Sequence, residues 1–157
     1  MKFLVTKDLA HSKLLAYLMG SVVIAILIYL VLDVVLHSYV VGSDIASIKS
    51  TLFGNTETFE EPILIDSLLL QVHIDFFMTL FALLILSSIY IRLYSKTSVM
   101  KVVVHTLFLF GLFAPVFLLM AYFWSEIFVY MWIVSFMLWH LMAFVLSLII
   151  FKRLNFR

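Results

Sequence analysis

The chain has 157 residues, of which 66% are hydrophobic and 12% are charged. Soluble globular proteins average about 45–50% apolar and about 25% charged residues. A chain this short cannot bury so much apolar surface in its own core, so a water-soluble fold is excluded and lipid must cover the remainder. Cysteine is absent, which excludes disulfides, iron–sulfur clusters and thiolate metal sites. No basic run is long enough to follow a phosphate backbone, which excludes nucleic acid as a partner.

Four apolar segments are long enough to cross a hydrocarbon core about 30 Å thick, which takes about 20 helical residues. They cover roughly residues 14–36, 68–93, 102–123 and 127–151. Only three residues, 124–126, separate the last two segments, which must therefore form a tight antiparallel hairpin. The pattern predicts an all-α integral membrane protein with a single domain, residues 1–157, folded as an antiparallel four-transmembrane-helix bundle.

A short amphipathic helix is predicted between the first and second spans. Turn-forming residues at 42–44 and 54–55 bracket apolar residues at helical spacing, namely Ile45, Ile48, Leu52 and Phe53. We expect this outer segment, about residues 43–60, to lie in the membrane interface.

The basic residues indicate the orientation of the chain, because cytoplasmic flanks retain Lys and Arg. Nine of the ten lie on one side of the predicted bundle, and Lys49 is the exception. Both termini are therefore predicted to be cytoplasmic, in a multi-pass protein of the plasma (inner) membrane. The nine residues are Lys2, Lys7, Lys13, Arg92, Lys96, Lys101, Lys152, Arg153 and Arg157.

Four ionisable residues on the first two spans are predicted to share one layer near the outer face. At about 1.5 Å per residue from the inner boundary, Asp33 and His37 lie about 30 and 36 Å up the first helix. By the same count, Asp75 and His73 lie about 25 and 28 Å up the second helix. Charged groups inside a membrane are costly and rare, so this layer indicates a functional site.

Helical geometry divides these residues between two contacts. Asp33 and His37 share a face, so the carboxylate could orient the imidazole or both could ligate one ion. His73 shares its face with Asp66, whereas Asp75 points about 200° away from His73. We therefore predict a metal site of Asp33, His37 and His73, with Asp66 as a candidate further ligand. Asp75 is predicted to make a separate contact, with the third or fourth helix.

Three further polar residues lie on the last two spans and the turn between them. His140, near mid-membrane, is a candidate cofactor ligand. The alternative, to which we give equal weight, is a core histidine that bonds to a hydroxyl such as that of Tyr29 or to a carbonyl freed by Pro115. His105, near the inner interface, is predicted to be a snorkelling histidine. Glu126 lies in the outer turn.

These residues leave three hypotheses for function. The first is an electron-transfer protein of the cytochrome type, in which His37 and His73, or the deeper His140, ligate haem b. The second is a divalent metal site for zinc, copper or iron, used in redox or metal-dependent chemistry or in metal handling. The third is a non-catalytic subunit of a membrane complex, or a proton or cation pathway without a cofactor. Besides the lipid bilayer, the candidate partners are other membrane subunits and a second copy of the chain.

Overall fold

The computed structural model describes residues 13–94 and 98–155, which form five α-helices. They are α1 (Lys13–Val40), α2 (Ile45–Phe53), α3 (Ile65–Tyr94), α4 (Ser98–Phe123) and α5 (Ile127–Asn155). All except α2 are long and apolar enough to cross a membrane. The predicted all-α fold with four membrane-spanning helices is therefore confirmed. Four of the basic residues that predict cytoplasmic termini lie outside the described ranges, namely Lys2, Lys7, Lys96 and Arg157.

The helix α5 is central to the packing, because it contacts α1, α3 and α4. Two buried apolar clusters surround it, one towards each end of the bundle. We call the end that carries α2 and the α4–α5 turn the α2 end. Many large apolar side chains point outwards from the spanning helices, and a lipid bilayer removes that surface from water.

The helices α3 and α4 approach each other closely at Gly111. A Cβ atom placed there would lie 3.0 Å from Leu83 Cδ1 and 3.1 Å from Thr79 Cγ2. Small residues at such positions allow membrane helices to pack tightly. Gly111 therefore sets the spacing of α3, which carries part of the site described below.

The helix α2 begins at a well-formed N-cap. Asp44 Oδ1 accepts hydrogen bonds from the backbone N–H groups of Ala46 (2.9 Å) and Ser47 (3.0 Å), and the Ser47 hydroxyl accepts one from the Asp44 N–H (3.1 Å). The bond from the Ser47 N–H is the main reason that the pKa of Asp44 lies below its usual value. The apolar face of α2 buries Ile48 and Leu52. The connection between the first two spanning helices thus contains a short helix, which ends at Phe53.

We expect Gly111→Leu to lower the free energy of unfolding by about 1–3 kcal/mol, because the added side chain overpacks the α3–α4 contact. The measurement is an SDS unfolding titration of the detergent-solubilised protein. Leu109→Ala is the matched control, since Leu109 lies on the exposed side of the same helix. An unchanged midpoint for Gly111→Leu would contradict the close approach.

Candidate functional site

Four ionisable side chains meet inside the bundle, and we call them the Asp–His cluster: Asp33, His37, Asp75 and His140. All four are buried, with exposed fractions between 3% for His37 and 8% for Asp33. His37 Nε2 lies 2.9 Å from Asp75 Oδ2, and His140 Nε2 lies 3.0 Å from Asp33 Oδ2. His37 Nδ1 is also 3.7 Å from Asp33 Oδ1. The cluster therefore ties α1 to both α3 and α5.

The cluster lies deep in the spanning helices. His140 follows the first residue of α5, Ile127, by 13 residues, which is about 20 Å along the helix axis. Asp75 follows the first residue of α3, Ile65, by 10 residues, or about 15 Å. His140 is thus close to the middle of α5, whereas Asp33 and His37 lie in the last two turns of α1.

The hydrogen bonds of the two histidines determine where protons must lie. Nδ1 of His37 is 2.9 Å from the Asp33 carbonyl oxygen, and Nδ1 of His140 is 2.8 Å from that of Phe136. A carbonyl only accepts, so both Nδ1 atoms carry a proton. Each Nε2 atom then faces a carboxylate oxygen. Without a further proton both atoms are hydrogen-bond acceptors, so no hydrogen bond forms between them. The cluster therefore holds two such protons, one in each Asp–His contact, and with them it is electrically neutral.

Neighbouring side chains fix the cluster in place. Gln71 donates a hydrogen bond from Nε2 to Asp75 Oδ1 at 2.7 Å. The Phe136 ring packs against both imidazoles, with centroid distances of 4.6 Å to His37 and 4.1 Å to His140. The Trp139 ring lies 5.1 Å from that of His140. These rings surround the histidines with apolar surface, which strengthens the electrostatic interactions inside the cluster.

Three members of the cluster have the geometry of a metal-ligand set. Asp33, His37 and Asp75 each offer one ligand atom, and these atoms lie within 4.8 Å of one another. One imidazole nitrogen with two carboxylate oxygens suits divalent transition metals such as zinc or iron. His140 and Gln71 bond to the two carboxylates, as the outer partners that orient ligands in metal sites do.

The structure does not place His73 beside His37. His73 and Asp66 are exposed on α3, whereas Asp75 on another face of that helix contacts His37. Helical spacing gives the angle between His73 and Asp75, but it does not say which of them faces the bundle. The polar stripe of Gln71, Asp75 and Thr79 was the signal that could have identified the inward face, since Asp75 and Thr79 are both buried.

The remaining predicted residues lie at three separate places. His140 belongs to the cluster and bonds to Asp33, not to Tyr29 or to a carbonyl freed by Pro115. Glu126 is exposed and forms an ion pair with Lys49 at 2.8 Å. His105 is exposed, and its Nδ1 lies 2.7 Å from a carbonyl oxygen of its own helix.

The structure gives no support to haem b. The predicted ligand pair, His37 and His73, is not formed, because His73 is exposed on α3. Two axial histidines need to face one porphyrin from opposite sides. In the cluster, Phe136 packs against both His37 and His140, and each Nε2 atom is directed at a carboxylate.

We expect Asp75→Leu to lower the free energy of unfolding by about 3–5 kcal/mol, because it leaves the buried His37 without its partner. The double substitution His37→Leu/Asp75→Leu should recover most of this loss, since it removes both polar groups together. SDS unfolding titrations of the wild type, both single variants and the double variant measure the coupling. Additive losses in the double variant would contradict a direct contact.

The model of one family, Aq_1264_TM, a transmembrane helical domain, matches residues 42–157. The match includes Asp75 and His140, whereas Asp33 and His37 precede it. No curated protein and no solved structure matches the sequence significantly. Because the match covers more than half of the chain, the protein belongs to the Aq_1264_TM family of transmembrane helical domains.

Proposed function

We propose that this small membrane protein binds one divalent transition-metal ion in the Asp–His cluster, with Asp33, His37 and Asp75 as ligands. One observation carries the proposal. Two acceptor pairs, 2.9 and 3.0 Å apart, each need positive charge between nitrogen and oxygen. Protons supply that charge, and a divalent ion held by Asp33, His37 and Asp75 would replace the proton between His37 and Asp75, while the proton between His140 and Asp33 stays in place. Zinc, copper and iron are the candidate ions.

Three protein ligands leave room for further chemistry at such an ion. Metal centres with three protein ligands commonly keep a position for water or a substrate, whereas purely structural zinc sites are closed by four. A bound metal would supply a Lewis acid, and iron or copper would add redox chemistry. In this chain His140 would hold the Asp33 carboxylate in place, and Gln71 would hold that of Asp75.

A proton pathway without a cofactor is the second candidate function, and buried hydroxyl groups favour it. Within the described ranges, Ser87 Oγ is buried without a hydrogen-bond partner, and the buried Tyr29 hydroxyl lies beside Thr79. Tyr29 lies close enough to Asp33 and Asp75 to interact with both carboxylates electrostatically. Such groups could pass protons between the cluster and the end of the bundle opposite α2.

Orientation, membrane and partners are part of the proposal. We place the protein in the plasma membrane with both termini in the cytoplasm and the α2 end outside. Support comes from the described basic residues, of which only Lys49 lies at the α2 end. His73, exposed on a spanning helix, supports a contact with another subunit or a second copy, because ionisable groups within membranes usually face protein.

Metal content tests the proposed site. We expect equilibrium dialysis against Zn²⁺ to give one ion per chain for the wild type, and a loss of binding for His37→Gln and Asp75→Asn. His140→Gln should retain the site but lower its affinity by about 10–100-fold, as expected for an outer partner. His73→Gln is the matched control, because His73 is exposed on the same helix as Asp75 and should leave binding unchanged.

Two results would contradict the metal site. Equal zinc loss in His37→Gln and His73→Gln would place the ion elsewhere. A wild-type protein that binds none of Zn²⁺, Cu²⁺ or Fe²⁺ would leave the proton pathway as the better account. A dithionite-reduced minus air-oxidised visible spectrum checks haem independently, and we expect no Soret or α-band features.

A further inference from the structure

We infer that α2 is a lid, and that it must lift from the bundle for an ion to reach the Asp–His cluster. This inference rests on the proposed metal site and concerns its access. The lid is defined as residues 45–53, with Gly42 as the hinge that joins it to α1.

The cluster is closest to the surface at the α2 end. His37 lies only three residues before the last residue of α1, Val40, which is about 5 Å along the axis. Towards the opposite end, Asp75 is separated from the last residue of α3, Tyr94, by 19 residues, or about 28 Å. That longer way passes through a packed apolar cluster containing Leu83 and Leu86.

The lid and its neighbours close the short way. Ile48 and Leu52 of α2 belong to one buried apolar cluster with Val41, Val72 and Trp132. The same cluster contains Phe136, whose ring packs against His37. Leu52 is 1% exposed, so neighbouring atoms cover its side chain almost completely. A hydrated ion cannot cross this apolar layer unless the layer opens.

Few polar interactions hold the lid shut, and one of them is a 3.3 Å hydrogen bond from the Tyr122 hydroxyl to the Ile63 carbonyl in the segment that follows the lid. Of its nine residues, only Ile48 and Leu52 are buried. On its polar face, Lys49 forms an ion pair with Glu126 of the bundle at 2.8 Å. The Lys49 ammonium also lies 5.5 Å from the centre of the Tyr130 ring. The hydrogen bond to Glu126 raises the pKa of Lys49, so the ammonium stays charged at neutral pH. Exposed ion pairs contribute little to stability, so this tie can open easily.

The connections of the lid allow it to move as a unit. Gly42 and Gly54 have positive φ angles, 134° and 78°, a region that other residues rarely adopt. Beyond Gly54, the following segment is bonded to the lid, since Ile63 N–H donates to the Thr51 carbonyl at 2.8 Å and Ser50 bonds to Glu60. Lid and segment would therefore swing together about the turn at Gly42.

Locking the lid tests the inference directly. The chain has no cysteine, so Lys49→Cys/Glu126→Cys introduces the only two thiols, both at exposed positions. A bifunctional methanethiosulfonate reagent joins them, and a reductant releases them. We expect the locked protein to take up Co²⁺ at least about tenfold more slowly than the reduced protein. The reason is that α2 must lift before the ion binds, and the cross-link lowers the fraction of molecules in which α2 is lifted. The final occupancy should be unchanged.

Each single-cysteine variant, treated with a monofunctional methanethiosulfonate, is the matched control and should bind Co²⁺ at the rate of the reduced double variant. Equal uptake rates in the locked and reduced double variants would overturn the lid while leaving the metal site in place. Absence of Co²⁺ binding in the reduced double variant and in the wild type would overturn the proposed site, and the lid with it.

Discussion

Two contacts between an imidazole and a carboxylate, buried near the middle of the bundle, organise the interior of this protein. In each of them the histidine Nδ1 donates to a carbonyl one turn earlier, which leaves Nε2 facing an acidic oxygen. Such a contact is stable only if a proton or a cation lies within it. With two protons the cluster is neutral, which is favourable because isolated charge is costly in hydrocarbon. If an ion replaces the proton between His37 and Asp75, the second proton must stay between His140 and Asp33.

The same contacts explain how the first helix is attached. The helix α1 packs mainly against α5 and touches α3 only slightly. Asp33 bonds to His140 of α5, and His37 bonds to Asp75 of α3, so the cluster adds a link between α1 and α3, which share little other contact. A fold that places its binding residues on three helices couples occupancy of the site to helix packing. Metal binding to the folded state alone would stabilise the bundle by mass action.

The sequence predicted the fold well and the site in part. Length and hydropathy were sufficient to predict four spans. The turn residues on either side of Ile48 and Leu52 were sufficient to predict the short helix between the first two spans. Asp33 and His37 were identified because groups four residues apart on one helix must share a face. The partner on α3 was assigned to His73 in place of Asp75, since periodicity fixes angles within a helix but not its rotation against its neighbours. The contact of His140 with Asp33, 107 residues apart, depends on tertiary packing that no local pattern contains.

The central claim is that an ion exchanges for the proton between His37 and Asp75, while His140 keeps its bond to Asp33. Titration calorimetry measures this directly when Zn²⁺ is added to the detergent-solubilised protein at one pH in two buffers of different ionisation enthalpy. The difference between the two apparent enthalpies gives the number of protons released. We expect about one proton for each ion bound, from the contact of His37 with Asp75. Zinc binding with no proton release would contradict this claim, because the ion would then be held outside the Asp–His cluster.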